Sequence, residues 1–144
     1  MLGGNRRGDP RVKGVLDRLG FRYEVDNDGD FKVQVLLPGG RSQVGFINSG
    51  TQLFCGIEIR EIWSLAFIAP GLPNERLANI LLKDNSEVKL GAWRVKELRD
   101  GRSLVIFAAH ISADVDEETL NAVLEVVLRK ADQLEANLTG EDRY

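Results

Sequence analysis

Residues 53–69 read Leu-Phe-Cys-Gly-Ile-Glu-Ile-Arg-Glu-Ile-Trp-Ser-Leu-Ala-Phe-Ile-Ala, and their pattern decides the fold. Ile57, Ile59, Trp63, Leu65 and Phe67 alternate with Glu58, Arg60, Ile62, Ala66 and Ile68. The period is two, which predicts a strand rather than a helix. The first half has one apolar side and the second half two, which predicts a central strand buried on both faces. Pro70 and Pro73 end it, since proline cannot donate a ladder hydrogen bond.

Upstream, the same period runs through Phe21, Tyr23 and Val25 and again through Phe31, Val33, Val35 and Leu37. The polar run 26–30 joins the two as a hairpin. Pro38-Gly39-Gly40 is a second turn, and 43–48 resumes as a third strand before Ser49-Gly50-Thr51. Ahead of these strands, Asp9-Pro10 offers an N-cap followed by proline at the first helical position. Val12, Val15, Leu16 and Leu19 share one face of a helix over 10–19, which Gly20 stops.

Downstream, Asn74 caps a second helix from Glu75 to about Lys83, with Leu77, Ile80 and Leu81 on one face. Two apolar runs, 87–98 and 102–112, flank Asp100-Gly101, a strong hairpin signal. The closing segment opens at Asp114 or Asp116. It carries Leu120, Val123, Leu124, Val127, Ala131, Leu134 and Leu138 at helical spacing, an amphipathic helix ending before Gly140. Short turns between neighbouring strands require antiparallel pairing. The expected fold is therefore α+β, ordered helix, three or four strands, helix, two strands, helix, with the helices on one side of the sheet. Residues 9–139 form one domain between a flexible lead, 1–8, and a flexible tail, 140–144.

Leu77 with Ile80-Leu81-Leu82, Asn85, Gly91-Ala92-Trp93, Asp100-Gly101, the apolar strand after it and a closing helix with Ala131-Asp132 resemble the YbjN family of bacterial domains. The resemblance spans most of the chain. It implies the fold of type III secretion chaperones, homodimers that bind extended segments of client proteins without catalytic residues. It also implies a sensory or regulatory role, and it carries over no site residue.

Composition narrows the function classes. The chain has 144 residues, 43% hydrophobic and 28% charged, enough for a real core without disulfides or metals. Net charge is −3 and the 19 basic residues are dispersed, so nucleic acid is not an expected partner. The densest basic stretch, Arg6 to Arg22, is interrupted by Asp9 and Asp17 and reads as a solvated helix face. Cys55 is the single cysteine, which excludes an internal disulfide and multi-cysteine metal sites. No secretory h-region and no run of about 20 apolar residues is present, so the expected location is cytoplasmic, with no membrane contact.

Candidate sites reduce to structural readings. Asp26, Asp28 and Asp30 alternate like the start of a calcium loop, but glycine falls at position 4 and Leu37 stands where a bidentate glutamate is needed. Gly39-Gly40-Arg41-Ser42 lacks the helix and the Lys-Ser or Lys-Thr of a phosphate loop. Cys55 and His110 are unique but sit in apolar strand patterns. Asp114, Asp116, Glu117 and Glu118 lie where a helix begins and its dipole favours anions. No cofactor, catalytic residue or metal site is expected. Trp63 and Trp93 divide between core and interface, because tryptophan is seldom fully buried and is enriched at contacts.

The favoured expectation is a non-enzymatic homodimeric interaction module with Ile62, Trp63, Ile68 and Trp93 at its binding surface. A small-molecule sensor with a pocket between sheet and helix is the alternative, and an enzyme the remaining one.

Overall fold

The computed structural model describes residues 7–139. Its elements are α1 (Pro10–Leu19), β1 (Arg22–Val25), β2 (Phe31–Leu36), β3 (Ser42–Ile47), β4 (Gln52–Phe54), β5 (Ile57–Ala69), α2 (Glu75–Glu87), β6 (Ala92–Glu97), β7 (Ser103–Ser112) and α3 (Glu117–Thr139). The strands form one antiparallel sheet ordered β1-β2-β3-β5-β7-β6, with β4 also paired to β5. This is the α+β class that the alternating patterns predict.

Five strands precede α2, where the sequence predicts three or four. The additional one is β4: residues 53–69 are a hairpin and not a single strand. Phe54 pairs with Ile57 across Cys55-Gly56, whose φ angles are 51° and 81°. Positive φ at both central residues defines a type I′ turn, whose twist matches that of the strands it joins. Cys55 therefore lies in an exposed turn, outside the apolar strand expected for it.

Local chemistry sets the helix starts. Asp9 accepts the Arg11 N–H at 2.9 Å, Pro10 opens α1, and Gly20 closes it at φ 73°. Asn74 accepts from Leu77 N at 2.8 Å to start α2, and Asp116 accepts from Thr119 N at 2.8 Å to start α3. α2 runs four residues beyond Lys83. Leu19, Ile80 and Leu138, expected on buried faces, are exposed. Gly8, which the sequence assigns to the lead, is buried against Phe31: a Cβ there would lie 2.4 Å from that ring. Residues 1–6 and the expected tail, 140–144, lie outside the described residues.

All three helices bury their apolar stripes on one face of the sheet. Val12 and Leu16 of α1, Leu77 and Leu81 of α2, and Leu120, Leu124, Val127 and Leu128 of α3 join Phe31, Val33, Ile47, Ile62, Val105 and Phe107 in one core. Gly45 sets how closely α3 approaches, since a Cβ there would meet Leu124 Cδ1 at 2.9 Å and Leu128 Cδ2 at 3.1 Å.

Candidate functional site

A strand side chain points to the face opposite its neighbour's, so the register sorts every sheet residue onto the helix-covered or the helix-free face. On the covered face Val25, Phe31, Ile47, Ile62 and Ala109 lie in one row across the sheet. The next row, on the free face, is Glu24, Lys32, Phe46, Trp63, Ala108 and Ala92. Leu65 pairs with Ile106 and Ile68 with Leu104 on the same free face, beyond a register shift between Leu65 and Phe67. The free side of β5 thus carries Ile57, Ile59, Trp63, Leu65 and Ile68, interrupted only by Glu61. Val44 and Phe46 flank this row on β3, and Leu104 and Ile106 flank it on β7.

Phe46 and Trp63 stack at 4.2 Å between ring centroids and 15° between planes, and Trp63 Nε1 donates to Asn48 Oδ1 at 3.1 Å. The ring thus stands fixed on the free face, partly exposed. At the far end of the row the β4–β5 hairpin presents Leu53, Phe54 and Ile57, exposed to 78%, 71% and 52%. None of the three helices covers this surface.

The four residues expected at a binding surface divide between the faces. Trp63 and Ile68 lie on the free face and are half-buried. Ile62 is fully buried beneath α3's side of the sheet, because it is one residue out of phase with Trp63. Trp93 is also core: its ring meets Phe107 edge-on at 5.0 Å, and its Nε1 donates to Asp84 Oδ2 at 2.6 Å. A tryptophan is buried cheaply when its N–H has an acceptor.

The residues behind the family resemblance build this corner. Asn85 Oδ1 accepts from Trp93 N at 2.7 Å, pinning the end of α2 to β6. A Cβ on Gly91 would lie 2.5 Å from the Phe107 ring. Lys130 pairs with Asp84 at 2.6 Å. Against the burial that would raise it, Lys130 and the Trp93 N–H hold the Asp84 carboxyl below the usual aspartate range. An open groove of about 540 Å³ runs between α2 and α3 beside this cluster, floored by Leu81, Trp93 and Leu134.

The other candidates have assigned places. Asp26 Oδ1 accepts from the backbone N–H of Asp28 and Asp30, at 2.9 and 3.0 Å, which shapes the β1–β2 turn. The three carboxylates offer oxygens within 4.8 Å of one another. Burial, with Asp26 and Asp28 nearby, pushes the Asp30 carboxyl up against the opposing Ser49 N–H. Gly39 and Gly40 form the β2–β3 turn at φ 87° and 77°, and Arg41 reaches α3, pairing with Asp132 at 2.8 Å and Glu135 at 2.9 Å. His110 Nε2 lies 2.8 Å from Glu61 Oε2 on the free face, whereas Cys55 sits beyond Ile57, about 13 Å further along β5. Asp116 caps α3, Glu117 pairs with Arg18 at 2.6 Å, and Asp114 accepts from the Ser112 hydroxyl.

One charged cluster was not legible in the sequence. Arg60, buried within β5, donates to Asp9 Oδ2 at 2.7 Å and to the Asn48 carbonyl at 2.6 Å. Arg11 bridges Asp9 and Glu58 at 2.9 and 2.8 Å. Burial alone would raise the Asp9 carboxyl, but hydrogen bonds from Arg11 and Arg60 bring it down to about 2. This knot ties α1 to β5 on the covered face.

No protein-family model matches the chain, and no curated protein sequence matches it significantly. Among solved structures the fold is that of an α+β domain of the YbjN type. E. coli YbjN, described as a candidate transcription regulator, superposes with a TM-score of 0.58 at 16% identity over 88% of each chain. The ExoU–SpcU complex of the type III secretion system of Pseudomonas aeruginosa is also similar, with a TM-score of 0.48 at 19% identity over 90% of this chain and 99% of that one. The likeness to YbjN is one of fold. No helix among the described residues is long and apolar enough to cross a membrane.

Proposed function

We propose that the chain is a non-enzymatic, cytoplasmic protein-interaction domain of regulatory type that pairs with a second copy and binds a protein partner on the helix-free face of its sheet. The carrying observation is the row Ile57, Ile59, Trp63, Leu65 and Ile68 along the free side of β5, exposed at Ile57 and half-exposed beyond it, continuous with half-exposed Val44, Phe46 and Leu104 over buried Ile106. A sheet with helices on one side either solvates its other face or has it covered, and contiguous exposed apolar surface marks an interaction site. Ile80 and Leu82 are exposed on α2 as well, and two-fold pairing is the commonest cover for such surface. The dimeric, client-binding habit implied by the family resemblance agrees with this reading.

Light scattering at micromolar concentration is expected to give about twice the 16.0 kDa chain mass. A mass of one chain removes the pairing from the proposal. Binding of an environment-sensitive apolar dye to the wild type, reduced by Trp63→Arg in a folded variant, supports the free face as the binding surface. Equal dye binding by both proteins contradicts it.

A further inference from the structure

Charge is distributed unevenly between the two faces. Arg22, Lys32, Arg94 and Lys96 all lie on the helix-free face by register, opposite Gln34, Phe46, Ile106 and Leu104. All four are exposed, and none forms an ion pair among the described residues. Cations on the covered side are largely in pairs: Arg11, Arg18, Arg41, Arg60 and Lys130 each meet a carboxylate within 3 Å. On the free face Glu61 lies against His110 with Asp30 nearby, so acids gather at the end of the sheet next to the β1–β2 turn, and Glu24, opposite Lys32, is the acid among the four cations. A chain of net charge −3 thus turns a basic rim toward the apolar face of the sheet that its helices leave open.

The rim is also placed geometrically. Lys32 on β2 and Arg94 and Lys96 on β6 stand four strand spacings apart, about 19 Å. The apolar band between them covers β3, β5 and β7, two spacings or about 10 Å, and a helix with its side chains is about 10–12 Å across. Along β5 the band runs from Ile59 to Ile68, about 30 Å or the length of a helix of about 20 residues, broken by Glu61, and the cations flank its Trp63–Ile68 part. An apolar stripe laid on that band places acidic side chains at its two borders within reach of the cations on both sides.

We propose that the occupant of the helix-free face is an amphipathic helix of a partner protein, apolar along one stripe and lined with Asp or Glu on both borders. This rests on the reading of that face as a protein-binding surface. A second copy docked face to face would bring Lys and Arg against Lys and Arg, and like charges across an interface oppose binding. Single-stranded nucleic acid fits less well. Its bases need free aromatic faces, whereas Phe46 and Trp63 stack on each other and the rest of the band is aliphatic.

The test uses two synthetic helical peptides of about 20 residues with the same leucine stripe, one bordered by Glu and the other by Lys, titrated into the full chain by calorimetry. The Glu peptide is expected to bind about tenfold more tightly at low salt, with the preference shrinking at high salt as rim pairs are screened. Arg94→Glu with Lys96→Glu, both exposed positions, is expected to abolish or reverse the preference. Equal affinity for the two peptides, or preference for the Lys peptide, overturns the acidic-helix inference. If that binding is still lost in Trp63→Arg, the broader protein-binding reading survives. Binding of neither peptide, together with no Trp63-dependent binding of an apolar dye, overturns both. Tighter binding of an oligothymidine or of anionic phospholipid vesicles than of the Glu peptide also overturns the inference.

Discussion

The two faces of one sheet solve different problems with similar residues. On the covered face Ile47, Ile62 and Phe107 are buried under three helices, and the charged side chains among them, Arg60 and Asp9, satisfy each other. On the free face Trp63, Leu65 and Ile68 are equally apolar, yet among the described residues no helix meets them and the surrounding cations have no ion-pair partner. Apolar character therefore does not by itself tell the covered face from the open face in this molecule. What tells them apart is whether neighbouring charges are matched within the chain, as they are on the covered face, or left available, as on the free one.

The sharpest way to break this contrast is at adjacent residues of β5. Ile62→Arg is expected to abolish folding, because several kcal/mol for a buried charge with no partner, added to the overpacking of a filled core, approaches the roughly 5–15 kcal/mol that holds a domain together. Trp63→Arg is expected to leave a folded protein. Circular dichroism and denaturant melts of the two variants decide the matter, and unfolding of both would place Trp63 in the core.

A smaller effect is expected at the charged knot. Asp9→Ala leaves Arg60 buried beside backbone carbonyls alone, a loss of about 3–5 kcal/mol by chemical denaturation. Leu124→Ala, beneath Gly45, is expected to cost about 2–5 kcal/mol, whereas Glu125→Ala on the outer side of α3 is expected to stay within about 0.5 kcal/mol.

Acid unfolding tests the knot without mutation. The folded Asp9 carboxyl, at about 2, lies below its ordinary 3.8. Its contribution is therefore complete above about pH 4 and lost as pH falls toward 2. That contribution is on the order of 2 kcal/mol. In Asp9→Asn the corresponding part of the acid loss is expected to disappear.

Most of the fold was legible because local chemistry specified it. Asp9-Pro10 and Gly20 bound α1 through a cap, a fixed φ and a left-handed stop, and no distant residue is needed to read them. The β4–β5 turn was hidden because Cys55 occupies a left-handed position that asparagine or glycine usually signals, inside an apolar run that otherwise reads as continuous. The end of α2 was misplaced because Asp84 and Asn85 are poor helix formers by propensity, yet Trp93 engages both from β6.

The proposed binding surface was only partly readable as a surface. Residues 57–69 carry an excess of apolar side chains, which is visible in the sequence, but a stretch apolar on both sides gives no phase, and Ile62 and Trp63 cannot be sorted without the register. The basic rim was invisible as a charge run, because Arg22, Lys32, Arg94 and Lys96 come together only when β2 and β6 are placed on opposite sides of β5.

The most direct test of the central claim is methyl and indole NMR of the full chain titrated with the Glu-bordered helical peptide. The account predicts shifts concentrated at Val44, Trp63, Leu65, Ile68, Leu104 and Ile106, with Ile62, Leu124 and the Trp93 indole little changed. Shifts centred instead on Leu81, Trp93 and Leu134 would place binding in the groove between α2 and α3 and contradict the assignment of the helix-free face.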